Sequence, residues 1–202
     1  QAMPLLDVLL RQMGNDYSLS YDREVEPLAH SLCKLNPAGA WENITAHLLE
    51  PAPKWRGDLL NWLKGGLGGF GEKNSSPPIA EFPAQMVMGW IAQDAEARAP
   101  MIAHCAPNSL DNEFGGELTR ALLTNYRMID GVETGISCIF GAGGWTGPTS
   151  KHLRSRRDRF RVWLSQGFDV NVASWIEEEI IQMDREIEKA EIAEERESWN
   201  RP

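Results

Sequence analysis

The chain has 202 residues, 42% hydrophobic and 24% charged, a balance that fits a folded globular protein and excludes low-complexity or collagen-like classes. A formal charge of -9 argues against broad attraction to nucleic acid or anionic lipid, and no apolar run reaches the roughly 18 residues of a membrane span. Cys33, Cys105 and Cys138 are widely spaced and form no Cys-x-x-Cys pair, which points to reduced, mostly buried thiols in the cytoplasm rather than to a disulfide or zinc framework.

Apolar residues recur three and four apart along the chain, without long strict alternation, so the elements read as helices. The first carries Leu6, Leu9, Leu10 and Met13, and the second, near 23 to 35, carries Val25, Leu28, Leu32 and Leu35; the two are expected to pack as a hairpin. "AGAWENITAHLLE", with Trp41, Ile44 and Leu48, pairs with the tryptophan helix "KWRGDLLNWLKGG". "PAQMVMGWIAQ" and "AEARAPMIAHCA" form the next pair, interrupted at Asp94, and "GGELTRALLTNY" and "DGVETGISCIFG" the one after. A basic helix from about 148 to 165 and an acidic helix from about 170 to 198 complete the series. Pairs recur roughly every 32 to 42 residues, within the range of helical repeats. The expected fold is all-α, a HEAT-like stack of antiparallel helix pairs forming a short irregular α-solenoid. Its helix-pair repeat region would span 1–141, with a carboxyl-terminal hairpin over 142–202 packed on it as one continuous domain.

Between these elements, "GGLGGFGEKNSS" at 65–76 has the Gly-x-Gly-x-x-Gly spacing of a dinucleotide loop at Gly66, Gly68 and Gly71. That fingerprint needs a strand before it and a helix start after it, whereas here a helix precedes it and prolines follow. Glu72 between Gly71 and Lys73 also excludes a Walker loop, so Gly65 and Gly66 read as a helix ending. Trp41, Trp55, Trp62, Trp90, Trp163 and Trp175 fall on predicted helices, mostly in phase with the apolar stripe, and read as packing residues.

The basic helix is the sharpest charge feature. Lys151, Arg154, Arg156, Arg157, Arg159 and Arg161 alternate with a buried stripe of Leu153, Phe160 and Leu164. Lys151, Arg154, Arg156, Arg157 and Arg161 are therefore candidate contacts for a partner or for nucleic acid. The competing reading is that a hairpin brings them onto the acidic face of the next helix. In that final helix Ile176, Ile180, Met183, Ile187 and Ala190 make a heptad-like seam, expected to pack on the preceding helix rather than form a dimer zipper, and the polar end past Ala190 is expected to fray.

Catalytic constellations are sparse. The four histidines lie apart and none sits in a metal-binding pattern; His30 with Cys33 is a single His-x-x-Cys whose cysteine borders the apolar face. Asp58, Asp94 and Asp111 read as surface or capping residues. No cofactor or metal site is expected, and the chain is read as a non-catalytic interaction module with a protein partner and no membrane. The alternative is a nucleic-acid-binding module built on residues 151–161.

The succession "AWENITAHLLEP", "LLNWLKGGLGGFG", "PIAEFPAQMVMGWIAQDAEARAPMIAHCAP", "GGWTGPTSKHLRSRRDRFRVWL" and "DVNVASWIEEEIIQMDREIEKAEIAEERE" resembles the helical carboxyl-terminal region of large bacterial multidomain proteins, including NACHT-like and other P-loop ATPases of antiphage defence. Its most specific parts are the Gly-Trp-x-Gly-Pro turn at Gly144 to Pro148, the Asp-x-Asn turn at Asp169 to Asn171, and the Trp-Ile-Glu helix. The resemblance covers roughly residues 38 to 197 and implies a sensor or scaffold domain of a larger protein, in keeping with Gln1 at the start and Met3 as the first methionine, and no enzymatic inference carries over with it.

The reading of residues 65–76 is directly testable. Titration with ATP or NAD in a calorimeter should give no heat beyond dilution, and micromolar binding abolished by Gly68→Val would overturn it.

Overall fold

A computed structural model of the chain describes residues 2–15, 25–51, 53–65, 77–141 and 146–199. Among them the regular structure is helical throughout: α1 (Ala2–Asn15), α2 (Val25–Leu35), α3 (Pro37–Leu48), α4 (Pro53–Leu63), α5 (Ala84–Ile91), α6 (Ala95–Ala103), α7 (Gly116–Tyr126), α8 (Val132–Gly141), α9 (Thr149–Leu164) and α10 (Val170–Trp199), with short 3-10 turns at Pro78–Glu81 and Asn112–Phe114. The nucleotide-like residues 66–76, the turn residues Gly144 and Trp145, and the side chains of Met13, Val25 and Trp55 lie outside the described residues.

Local chemistry sets the boundaries. Asn36 caps α3 by accepting a 3.1 Å hydrogen bond from the Gly39 amide, with Pro37 pre-set for the first turn. Asp94, which breaks the fifth helix from the sixth and was expected at the surface or as a cap, caps α6 through the Ala97 amide at 3.4 Å, and Asp169 caps α10 through the Asn171 amide at 2.9 Å. Gly65 closes α4 with φ +112°, where a side chain would be strained, and its amide reaches back to the Trp62 carbonyl.

Packing departs from a simple row of hairpins. In the amino-terminal half α1 lies against α2, α3 and α4 together, and buries Leu6, Leu9 and Leu10 with Ile44, Leu48, Leu59 and Leu63. In the second half α5 lies on α7 and α6 on α8, so alternate helices stack, and α10 packs on α9 and α7. The stripe expected for α2 is displaced: Leu28 and Leu35 are exposed, while Ala29, Leu32 and Cys33 face the core, because α2 meets α1 and α3 on the Ala29 side. The aromatic side chains pack in two groups, Trp41 with Phe82 and Trp90, and Phe140 with Phe160, Trp163 and Trp175, at centroid separations of 5.1–5.8 Å.

The final helix does not fray after Ala190. It runs to Trp199, because Glu191 and Glu194 are tied to α9: Glu191 to Arg154, and Glu194 to the Ser150 amide at 3.0 Å and hydroxyl at 2.7 Å. The Ser150 hydroxyl and amide together hold the Glu194 carboxyl below the usual carboxylate range.

The link between α6 and α7 is pinned onto α7. Thr119 donates to the Pro107 carbonyl at 2.7 Å, Arg120 to the Leu110 carbonyl and Asn112, and the Gly116 amide to the Asp111 carbonyl. A Cβ on Gly116 would stand 2.3 Å from the Leu110 carbonyl carbon, so backbone must move to admit one. Gly116→Ala should therefore lower stability in urea by about 2–3 kcal/mol. Gly57→Ala, on α4 with open space around it, should raise stability by about 0.5–1 kcal/mol. Equal effects at the two sites would refute the packing described.

Candidate functional site

The five cations singled out in α9 divide into four engaged with carboxylates and one at the surface. Arg154 meets Glu191; Arg156 meets Glu179 at 3.1 Å; Arg157 meets Asp184 at 2.8 Å and Asp158 at 3.2 Å; Arg161 lies 3.7–3.8 Å from Asp158 and Asp184; Lys151 is exposed. The antiparallel turn at 165–169 causes this, setting α9 residues every three to four positions opposite the carboxylates of α10. The hydrogen bond from Arg157 to Asp184 raises the guanidinium pKa further above its ordinary value, against the effect of burial. Most of these pairs are solvent-facing and contribute little singly. Arg156 with Glu179 differs, since the two side chains are only 16% and 15% exposed.

That pair belongs to a polar chain reaching the protein interior. The Trp175 indole N–H donates to Ser137 Oγ at 3.3 Å, Ser137 donates to Glu179 Oε1 at 2.6 Å, and Arg156 donates to Glu179 Oε2. The Arg156 guanidinium also lies 5.6 Å from the centre of the Phe160 ring. A neighbouring link fixes the start of α10, where Arg127 donates to Glu133 at 2.8 Å, to Glu178, and to the Asn171 carbonyl at 3.2 Å. The bond from Arg127 holds the Glu178 carboxyl below its usual range.

Above this chain α8, α9 and α10 enclose an open groove of about 540 Å³. Cys138, Thr134 and Gly141 line it from α8, His152 and Arg156 from α9, and Gln182, Met183 and Glu186 from α10. Its carboxylates are unequally matched: Glu133 and Glu179 each meet an arginine, whereas Glu186 accepts a hydrogen bond from the Gln182 amide at 2.9 Å. Cys138 is exposed, which corrects the expectation of three buried thiols. It stands on the side of α8 turned away from the Val132, Ile136 and Ile139 stripe, and the 3.6-residue period alone separates it from them.

The groove was not visible as a site in the sequence. Thr134, Cys138 and Gly141 are small residues at spacings of four and three, a stripe that becomes legible only once α9 and α10 stand beside it. Elsewhere His30 and Cys33 are not a reactive pair. His30 turns to Glu81 at 2.9 Å, and burial, with Glu81 nearby, pushes the Cys33 thiol up to about 12. Burial likewise pushes Cys105 up to about 12. A second, smaller hollow of about 370 Å³ lies between the Pro78–Glu81 turn and the start of α7. Among the described residues no group of three or more His, Cys, Asp and Glu side chains stands close enough to hold a metal ion, and no helix is long and apolar enough to cross a membrane.

No protein-family model, curated protein or solved structure matches the chain.

Charge reversal separates the two readings of α9. Arg156→Glu with Arg157→Glu should cost about 2 kcal/mol, between the ~1 kcal/mol of an exposed pair and the roughly 3–5 kcal/mol of breaking a buried one. Binding of the parent to DNA or RNA should be negligible at moderate salt. A mutant that melts like the parent but loses a submicromolar, salt-dependent affinity would reverse the assignment.

Proposed function

We propose that the chain is a non-catalytic interaction module that receives a segment of a protein partner in the groove between α8, α9 and α10. The supporting observation is the construction of that groove. Its walls are three helices locked by the aromatic cluster below and by the Ser137, Glu179 and Arg156 chain, so the surface is formed before a partner arrives, which lowers the ordering cost of binding. Its lining is mixed, with Met183 and Leu153 beside Thr134, Gln182 and Glu186, the combination that gives contact area and orientation together. Glu186, whose partner among the described residues is the neutral Gln182 amide, favours a segment that brings a cation.

The stacking of α5 on α7 and of α6 on α8 supports a HEAT-like, short solenoid reading of the second half, since alternate helices meet in that way when helix pairs repeat. Such stacks serve as recognition surfaces, in line with a sensor or scaffold role within a larger bacterial defence-type protein, the class that the sequence motifs resemble. The buried reduced thiols Cys33 and Cys105 fit a cytoplasmic setting. Engagement of Arg154, Arg156, Arg157 and Arg161 by carboxylates weighs against the nucleic-acid alternative.

Site-specific cross-linking tests the groove. A photoreactive residue at position 138 or 182 should give adducts mapping to one segment of one protein, lost when Thr134→Trp fills the groove, while the same probe at exposed Val162 should not. Equal adducts from all three positions, or adducts unaffected by the tryptophan, would defeat the proposal.

A further inference from the structure

The final helix has a second, outward face that neither the groove nor the aromatic cluster uses. Its inner face is spent on packing, with Val172, Trp175, Ile176, Met183 and Ile187 buried. On the outer face Ile181 and Ile192 are 52% and 46% exposed, and Arg185 and Glu188 between them are exposed as well. The spacing of 4, 3 and 4 sets these four side chains in one stripe along the helix. Among the described residues Arg185 and Glu188 make no side-chain hydrogen bond or ion pair. The carboxylates beside the stripe are engaged, Asp184 by Arg157, Glu191 by Arg154 and Glu178 by Arg127.

Apolar side chains scattered singly over a surface need no explanation. This stripe differs because it reads the same in reverse with its charges exchanged: isoleucine, arginine, glutamate, isoleucine. We infer that the outer face of α10 binds a second copy of the chain, the two helices lying antiparallel about a twofold axis that passes between residues 186 and 187. Ile181 then meets the partner's Ile192, and Arg185 meets the partner's Glu188. The axis repeats both contacts, which is the self-complementary pattern of a twofold dimer. A heptad-like spacing gives the shallow crossing, about 20°, at which such stripes interdigitate.

The charges choose the direction. A parallel pair in register would set arginine against arginine at 185 and glutamate against glutamate at 188, whereas the antiparallel pair matches opposites at both. At the ends of the stripe Glu178 approaches the partner's Glu195, and its charge is already met by Arg127. On the flank beside α9, where the same flank of the second copy comes close, Asp184 is matched by Arg157 and Arg161, and Glu191 by Arg154. Area sets the strength. Residues 178–195 span about 26 Å of helix at ~1.5 Å per residue, and two isoleucines per copy cover far less than the roughly 800 Å² per partner of a standard interface. The net charge of -9 on each copy opposes approach as well. The dimer is therefore weak and depends on its central charge pairs for specificity.

Sedimentation equilibrium on the full chain tests this. The parent should dimerise at submillimolar concentration, and because the four positions are exposed, substitutions there should leave the melting temperature unchanged. Arg185→Glu and Glu188→Arg should each weaken the dimer about tenfold, since both charge contacts become like-charge ones. Mixing the two variants should restore association, and so should both exchanges in one chain, because opposite charges then face again across the axis. Ile181→Cys mixed with Ile192→Cys, each in a Cys138→Ser background, should give a disulfide between copies, and Ile181→Cys alone should not. A parent still monomeric at about 1 mM, a dimer indifferent to both single exchanges, a mixture no tighter than its components, or a disulfide from Ile181→Cys alone would each overturn the antiparallel dimer.

Discussion

Phe160 and Trp175, both essentially fully buried, fix how α9 and α10 meet α8, and the carboxyl-terminal half depends on that contact. A buried aromatic removes roughly 150–250 Å² from water, worth about 4–6 kcal/mol at ~25 cal/mol per Å². That exceeds any one of the surface ion pairs along the same interface, most of which contribute at most ~1 kcal/mol. The aromatic cluster therefore supplies the adhesion, and the charges select the register. Sliding α10 by one turn would keep apolar contact but place Arg157 away from Asp184 and Arg154 away from Glu191. The slipped arrangement would give up these pairs and gain no apolar contact in exchange, so the charges favour one register among several that the apolar seam allows.

The same division of labour explains the Ser137, Glu179 and Arg156 chain. Glu179 is too enclosed to be left alone, so it takes a hydroxyl on one oxygen and a guanidinium on the other. Trp175 supplies the remaining donor to Ser137, and its indole N–H is thereby satisfied at the edge of the apolar cluster. Trp175 thus links the aromatic core to Ser137 in the lining of the groove. A change that loosens the core must also disturb the groove.

Much of this architecture is legible in the sequence, and the parts that are not share a cause. Helix positions follow from the 3.6-residue period, and the ends of α3, α6 and α10 from Asn36, Asp94 and Asp169, because caps and periodicity are local properties. The facing of α9 on α10 is readable because the two helices adjoin in the chain and carry opposite charges. Leu28 and Leu35 were assigned to the core because apolar residues at i and i+7 share a face, but the face α2 buries depends on where α1 and α3 stand. Cys138 was misread for the converse reason, since a cysteine beside Ile136 and Ile139 is one helical step from burial. The groove needs three helices, and the contact of His47 with Asp7 joins residues forty positions apart. No window along the chain contains such neighbours.

The two halves meet water and charge in different ways. Around α9 and α10 most ionic contacts lie at the rim, where salt and solvent weaken them, Arg156 with Glu179 being the enclosed exception. At His47 the ring is enclosed, with 3% of the side chain exposed, while its partners Asp7 and Glu50 remain 36% and 40% exposed. The aromatic cluster and the enclosed pair of Arg156 with Glu179 therefore carry the groove, and the rim pairs are the part of that half that salt weakens first.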